Sequence, residues 1–355
     1  SSCMKIAIFH NLKPGGGLNL INSLTNSFKK KGYKIDIFSH QKVKLKNSKN
    51  HFPFPIDEPA SSFDHLIKAT FTLKKSQRNI SKLIIQKKYD YIFIFPCNVT
   101  QAPHILRFLP KEKTFYFFLE PKREFYEKTS FDYYTPKRFL SRLIRYLEKI
   151  IDQINCKACT HIISSSIFSQ TNLNKIYKKN SVVIYPGMKP IKPKQITVKN
   201  NHKFLSFGLL TMLKGHHISA QIIPKISIYG QKSHENIQRY LPRNITIKTD
   251  VKEKDIKNIY KKHTFFLANQ INEPFGLTTL EATSNNCYVF GKNEGGTPEI
   301  IKDGFNGTLI STDNIPKAQK IIEKFNKKKT ITFKKTCIID WDYTVDQILQ
   351  YINNV

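Results

Sequence analysis

The residues best suited to chemistry lie in Asn272-Glu273-Pro274-Phe275-Gly276-Leu277-Thr278-Thr279-Leu280-Glu281-Ala282 and, soon after, Glu294-Gly295-Gly296-Thr297-Pro298-Glu299. Glu273 falls in a Pro/Gly turn, and Glu281 sits about one turn into the helix that the following residues predict. Such a turn leaves the amides of Gly276, Leu277 and Thr278 without intrahelical acceptors, and the helix dipole favours an anionic group above them. Glu281, deeper on the helix, can accept two hydroxyl hydrogen bonds at once, as a ribose would offer. Together these residue types suit a polyhydroxylated ligand that also carries phosphate. A capped core helix with two solvated acids would use the same residues, so the pair of carboxylates alone does not decide.

The wider pattern resembles a family. The run Glu273 to Glu281 with Gly295-Gly296-Thr297-Pro298-Glu299 is similar to the donor site of retaining GT-B glycosyltransferases, glycosyltransferase family 4. Lys5-Ile6-Ala7-Ile8-Phe9-His10, then Pro14-Gly15-Gly16-Gly17, resembles that family's first strand and glycine loop. Ile162-Ile163-Ser164-Ser165-Ser166 and Val183-Ile184-Tyr185-Pro186-Gly187 are similar to the segments closing its first domain. Phe204-Leu205-Ser206-Phe207-Gly208 and Lys214-Gly215 resemble the start of its second. The matches run through nearly the whole chain in the family's order.

The resemblance implies an α/β chain with the GT-B fold, two Rossmann-like domains with parallel sheets facing across a cleft. The expected divisions are an acceptor-side domain over 4–187, a linker over 188–201, a donor domain over 202–338 and a helix over 339–355 crossing back to the first domain. It implies transfer of a sugar from a UDP- or GDP-linked donor to an acceptor hydroxyl with retained anomeric configuration and no cofactor or metal. Lys214 would stabilise the departing diphosphate and Glu273 would hold sugar hydroxyls, these two being the candidate catalytic residues. Glu281 would hold the ribose, Thr278 and Thr279 the phosphates, and Tyr229 and Gly230 would lie near the base. Phe275, Gly276 and Leu277 complete that side. Gly15, Gly16 and Gly17, with Gly208, would let backbone approach the phosphates closely.

Two positions depart from the family. Leu209 stands where an Arg usually supports the diphosphate, and Leu119, in Tyr116-Phe117-Phe118-Leu119-Glu120-Pro121-Lys122-Arg123, stands where a His often meets the sugar. Glu120 and Arg123 are the acceptor-side candidates to compensate. A catalytically degenerate protein that binds nucleotide sugars is the alternative.

Elements able to position these residues are legible. Short apolar runs alternate with amphipathic stretches, as in Ile6 to Phe9, Leu18 to Lys31, Lys34 to Phe38, Phe63 to Lys87 and Tyr91 to Phe95, which predicts parallel sheets covered on both faces. From Gly187 to Asn201, Pro and Lys replace the apolar pattern, hence the expected linker. No apolar run approaches the roughly 18 residues of a membrane span. The N-terminal residues read as strand and glycine loop and not as a signal peptide, so a cytoplasmic protein is expected.

Charge sets one further expectation. Lys and Arg number 58 against 26 Asp and Glu, a net +32, which attracts polyanions such as an anionic bilayer. Between Lys137 and Asp152, Arg138, Arg142, Arg145 and Lys149 form one helical stripe opposite Phe139, Leu140, Leu143, Ile144, Leu147, Ile150 and Ile151. The stripe is either a solvated face or a seat for anionic lipid, the second implying a lipid-linked or cell-surface glycan acceptor and a peripheral position on the cytoplasmic membrane face. Specific nucleic-acid binding is not expected, because the basic residues are spread along the chain without a recognition motif. Cys156-Lys157-Ala158-Cys159 lacks a second metal-binding pair, and Asp340-Trp341-Asp342 reads as a helix cap; neither is assigned a metal.

Overall fold

The computed structural model of this chain describes residues 4–40, 50–57, 59–127, 139–233, 236–245 and 247–355, with backbone only for Ser62 and 139–142. It divides into two compact units, Ser1–Pro186 with Thr344–Val355, and Gly187–Tyr343.

The first unit is a seven-stranded parallel sheet in the order β3-β2-β1-β4-β5-β6-β7. Its strands are β1 (Lys5–Asn11), β2 (Lys34–Ser39), β3 (His51–Pro53), β4 (Tyr91–Cys97), β5 (Thr114–Phe118), β6 (His161–Ser164) and β7 (Val182–Val183). Helices α1 (Gly16–Lys30), α2 (Ser62–Ile67), α3 (Leu73–Gln86), α4 (Arg123–Tyr126), α5 (Phe139–Lys157) and α6 (Ile167–Tyr177) connect them. A π-helical turn, Lys68–Thr72, joins α2 to α3. Strands buried on both faces read as continuous apolar runs, and Ile6, Ala7, Ile8 and Phe9 of β1 are all buried.

The second unit holds a six-stranded sheet, β11-β10-β9-β12-β13-β14, also parallel in every described pairing. Its strands are β9 (Phe204–Phe207), β10 (Ile226–Tyr229), β11 (Ile247–Lys248), β12 (Phe265–Ala268), β13 (Tyr288–Lys292) and β14 (Gly307–Ile310). Helices α7 (His216–Ile222), α8 (Glu253–Lys261), α9 (Leu277–Ser284), α10 (Thr297–Ile300) and α11 (Ile315–Asn326) accompany them.

The stretch expected as a linker, 188–201, is instead mostly strand. Met188–Lys199 forms β8, paired antiparallel with β15 (Thr330–Ile339). Ile196 faces Phe333 and Val198 faces Ile331, so the alternation Ile196-Thr197-Val198 buries one face on the second unit's core. Pro190 and Pro193 obscure that period in the sequence, yet a two-stranded ribbon tolerates proline at its edges. Helix α12 (Trp341–Ile352) closes the chain. From Thr344 onward it belongs to the first unit, where the Thr344 hydroxyl donates to Tyr185 O at 3.1 Å and Lys31 pairs with Asp346 at 2.7 Å. Asp340 caps its start, accepting from the Tyr343 amide at 3.0 Å.

Candidate functional site

Strand order picks out where a ligand of the second unit should bind. The chain runs outward from β9 through β10 to β11, then returns to lay β12 on the other side of β9. The order therefore reverses between β9 and β12, and the crevice outside the carboxyl ends of such strands is where parallel sheets bind ligands. Gly208 follows β9 there and Asn269 follows β12. The loops leaving these two strands carry Lys214 and Glu273.

Those side chains meet. Lys214 Nζ lies 2.7 Å from Glu273 Oε2, with the lysine side chain 29% exposed and the glutamate 13%. Lys214 ends a short 3₁₀ turn, Met212–Lys214, and Gly215 follows at φ +65°. A Cβ on Gly215 would lie 1.9 Å from Asn269 O, so only glycine lets the β9 loop pass the end of β12. Behind the turn, His216 is fully buried, with Nδ1 2.8 Å from Ser206 Oγ and Nε2 3.1 Å from Leu209 O. Burial pushes its imidazole down to about 4, so the ring is neutral at physiological pH; Nε2–H donates to the carbonyl and Nδ1 accepts from the serine.

The Glu294-Gly295-Gly296 run supports Glu273 from below. The Gly296 amide donates to Glu273 O at 2.7 Å, and the Asn272 amide donates to Glu294 Oε1 at 2.6 Å. A Cβ on Gly295 would come within 2.5 Å of Glu273 O, and one on Gly296 within 2.5 Å of Pro274 O. The two glycines are thus spacers beneath the turn.

Gly276, at φ +102°, turns the chain into α9, and Gly276 O accepts from the Leu280 amide at 3.0 Å. The first-turn amides of Leu277, Thr278 and Thr279 have no acceptor within the helix. Thr278 Oγ1 accepts from Gln270 Nε2 at 3.1 Å, and the Thr279 hydroxyl is buried without a partner. Phe275 is buried beneath the turn. Glu281 Oε2 accepts from the Tyr260 hydroxyl at 2.8 Å. Tyr260 is fully buried, which drives its phenol well above its usual range and keeps it a donor. Burial also raises the Glu281 carboxyl, an effect that the Tyr260 bond opposes. Tyr260 was missed in the sequence because nothing in its spacing ties α8 to α9.

Tyr229 ends β10 and Gly230 follows it. A Cβ on Gly230 would meet Gly208 O at 1.8 Å, so the two glycines bring neighbouring strand ends into contact. Lys248 Nζ lies 3.3 Å from the Tyr229 hydroxyl and 5.3 Å from its ring centre. Leu209 turns its side chain outward, 38% exposed.

In the first unit the order reverses between β1 and β4, and the glycine loop lies at that point. Gly15 caps α1, and side chains added at Gly15 or Gly16 would meet nothing within 4 Å. Gly17 is packed, a Cβ there lying 3.0 Å from Leu12 and 3.7 Å from Leu119. Arg123 is committed to a neighbour: its Nε and Nη2 donate to Glu127 Oε2 at 3.0 and 2.9 Å. Glu120 O accepts from Gln101 Nε2 at 2.9 Å. Close to the same sheet edge is a small cavity of about 20 Å³ whose polar lining includes Asn11, His40, Asp57, Lys68 and Asn98.

The basic stripe does not hold as expected. Arg138 lies outside the described residues, and only the backbone of Arg142 is described. Arg145 is half-buried, and so is Lys149, whose ammonium sits 4.7 Å from the Tyr126 ring centre. Leu143, Leu147 and Ile150, expected against the sheet, are exposed, whereas Glu148 and Asp152 are buried. Ile144 is buried as expected, but the inward carboxylates have partners from distant elements, and that turns Leu143, Leu147 and Ile150 outward.

Residues 188–335, which hold Lys214, Glu273 and Glu281, match the glycosyl transferases group 1 family. In solved structures the chain resembles Anabaena HepE in complex with UDP-glucose at a TM-score of 0.66 and 15% identity, over 99% of this chain and 100% of that one. It also resembles WaaG, a glycosyltransferase involved in lipopolysaccharide biosynthesis, at 0.66 and 12%, over 92% and 90%. The fold is GT-B. Among curated proteins, Bacillus subtilis spore coat protein SA is 28% identical over 135 residues, 32% of this GT-B chain and 36% of that protein. An uncharacterized glycosyltransferase of Methanocaldococcus jannaschii is 24% identical over 180 residues, 47% of this chain and 50% of its own. The GT-B chain thus spans half or less of the length of these two relatives.

Proposed function

We propose that this chain is a retaining glycosyltransferase that moves a hexosyl group from a UDP- or GDP-sugar to an acceptor hydroxyl without a metal. The observation that carries the reading is the Lys214–Glu273 pair at the strand-order reversal, beside the open first turn of α9. Leaving-group departure puts charge on the diphosphate, and preorganised cations and amides are what stabilise it. An ammonium has three N–H donors; Glu273 takes one, which leaves two for phosphate oxygens. The Leu277, Thr278 and Thr279 amides add neutral donors. Glu273 presents its second carboxylate oxygen to sugar hydroxyls, and Glu281, held by Tyr260, presents its second to the ribose. The acceptor proton passes to a leaving-phosphate oxygen.

HepE's complex with UDP-glucose supports a uridine donor over a guanosine one. The acceptor belongs on the first unit, facing the glycine loop Gly15-Gly16-Gly17 and the Leu119 to Tyr126 segment, which carries the polar Glu120 and Arg123. A lipid-linked or cell-surface glycan acceptor fits the +32 charge, with the enzyme cytoplasmic and peripheral on the membrane's cytoplasmic face. The exposed, uncharged Leu209 favours a second reading, a nucleotide-sugar-binding protein without turnover. A thermal-shift panel of UDP-, GDP-, ADP- and CMP-sugars tests the donor, since ligand binding to the native state raises apparent stability. Proton NMR of the product made from the best donor then tests retention. No stabilisation by any donor would refute both readings; stabilisation without hydrolysis or transfer selects the second.

A further inference from the structure

Helix α5 packs with its acids inward and its apolar stripe outward. Glu148 pairs with His65 of α2. Asp152 accepts from the Ala102 amide at 2.9 Å, from the Tyr177 hydroxyl at 2.6 Å and from the Tyr126 hydroxyl at 3.3 Å. Asn155 Nδ2 donates to Ala102 O at 3.0 Å. Turned outward are Leu143, Leu147, Ile150 and Ile154, spaced i, i+4, i+7 and i+11 and between 36% and 47% exposed. The adjoining α2 and π-turn add Phe63 and Phe71, 61% and 69% exposed. The His65–Glu148 contact holds the two segments side by side.

Single exposed apolar residues are ordinary, but a cluster on two packed elements marks an interaction surface. Charge narrows the partner. Both carboxylates of the described α5 are buried, so its outer face presents none, while Arg145 and Lys149 flank it and Lys157 is exposed at its end. A second copy would bring like charges together on a chain of net +32. On α2, Asp64 is paired with Lys68 at 2.8 Å, and an apolar stripe whose own helix turns its acids inward and is edged by cations fits the interfacial layer of an anionic bilayer.

We propose that the outer faces of α5 and α2 dock on an anionic membrane by inserting these apolar side chains, so that attachment is apolar as well as electrostatic. The inference rests on the peripheral-membrane reading above and moves its seat from the basic stripe to the apolar one. The test is co-sedimentation of the full chain with phosphatidylcholine vesicles, with and without phosphatidylglycerol. It compares the parent with Phe71→Gln/Leu147→Gln/Ile154→Gln and, independently, Phe63→Gln/Leu143→Gln. All five positions are already exposed, and donor-induced thermal shift checks that each variant is folded. The parent should bind the anionic vesicles and keep a substantial fraction bound at about 1 M salt, where charge attraction is screened within about 3 Å. The triple variant should partition about tenfold less. A parent that ignores anionic vesicles overturns the membrane reading itself. A parent that binds while both variants bind equally well overturns only the apolar seat, as does a dimer of the parent that the triple variant abolishes.

Discussion

Truncating Lys214 and Glu273 singly and together tests the centre of the proposed site. The side chains meet at 2.7 Å and are 29% and 13% exposed, so solvent screens their contact only in part. A hydrogen bond to a charged group contributes about 1.5–3 kcal/mol; partial exposure of the lysine brings the expected coupling down to about 1–2 kcal/mol. Urea unfolding of Lys214→Ala, Glu273→Ala and the double variant should therefore depart from additivity by that amount. The same variants should separate in function. Lys214→Ala removes a donor to the leaving diphosphate and should slow transfer by about 10² or more. Glu273→Ala removes the anion beside the ammonium, so bare nucleoside diphosphate should bind at least as tightly as to the parent in titration calorimetry, while the sugar nucleotide binds more weakly. Additivity within about 0.3 kcal/mol would refute the pair, and a Lys214→Ala enzyme retaining more than about a tenth of parental activity would refute its catalytic role.

Tyr260→Phe deletes the donor to Glu281 and should weaken nucleotide binding and lower stability by about 1–3 kcal/mol; calorimetry and urea unfolding with no change in either would show that Glu281 needs no such support. Asp152 is fully buried and its carboxyl is raised to about 6, chiefly by burial. Its folded value exceeds the unfolded one, so the stability it contributes is present below about pH 4 and lost as pH rises through about 6, a change of about 3 kcal/mol. Unfolding measured across that window should therefore fall with pH more steeply in the parent than in Asp152→Asn, and parallel curves would rule the assignment out. Leu209→Arg places a guanidinium at an exposed position in the loop after β9 and should tighten diphosphate binding; unchanged affinity would mean that this side chain does not reach the ligand.

Much of this protein was legible from one dimension. The apolar runs Ile6 to Phe9, Lys34 to Phe38 and Tyr91 to Phe95 fall within β1, β2 and β4, because strands buried on both faces must be continuously apolar. The turn at Gly276 and the helix after it followed from residue type alone, since few other residues turn a chain at positive φ. Contacts between distant residues were not legible. Lys214 meets Glu273 across 59 positions, and Tyr260 reaches Glu281 from another helix. Both depend on strand order, which sets β12 against β9 and which no local pattern encodes. The ribbon of β8 and β15 was hidden because its apolar partners are supplied by a strand far along the chain. Helix α5 shows the limit most plainly. Its periodicity defined two faces, but which face is buried depends on what partners wait for it. His65, Ala102, Tyr126 and Tyr177 satisfy its inward polar groups, and those hydrogen bonds offset part of the desolvation cost that burying the carboxylates carries.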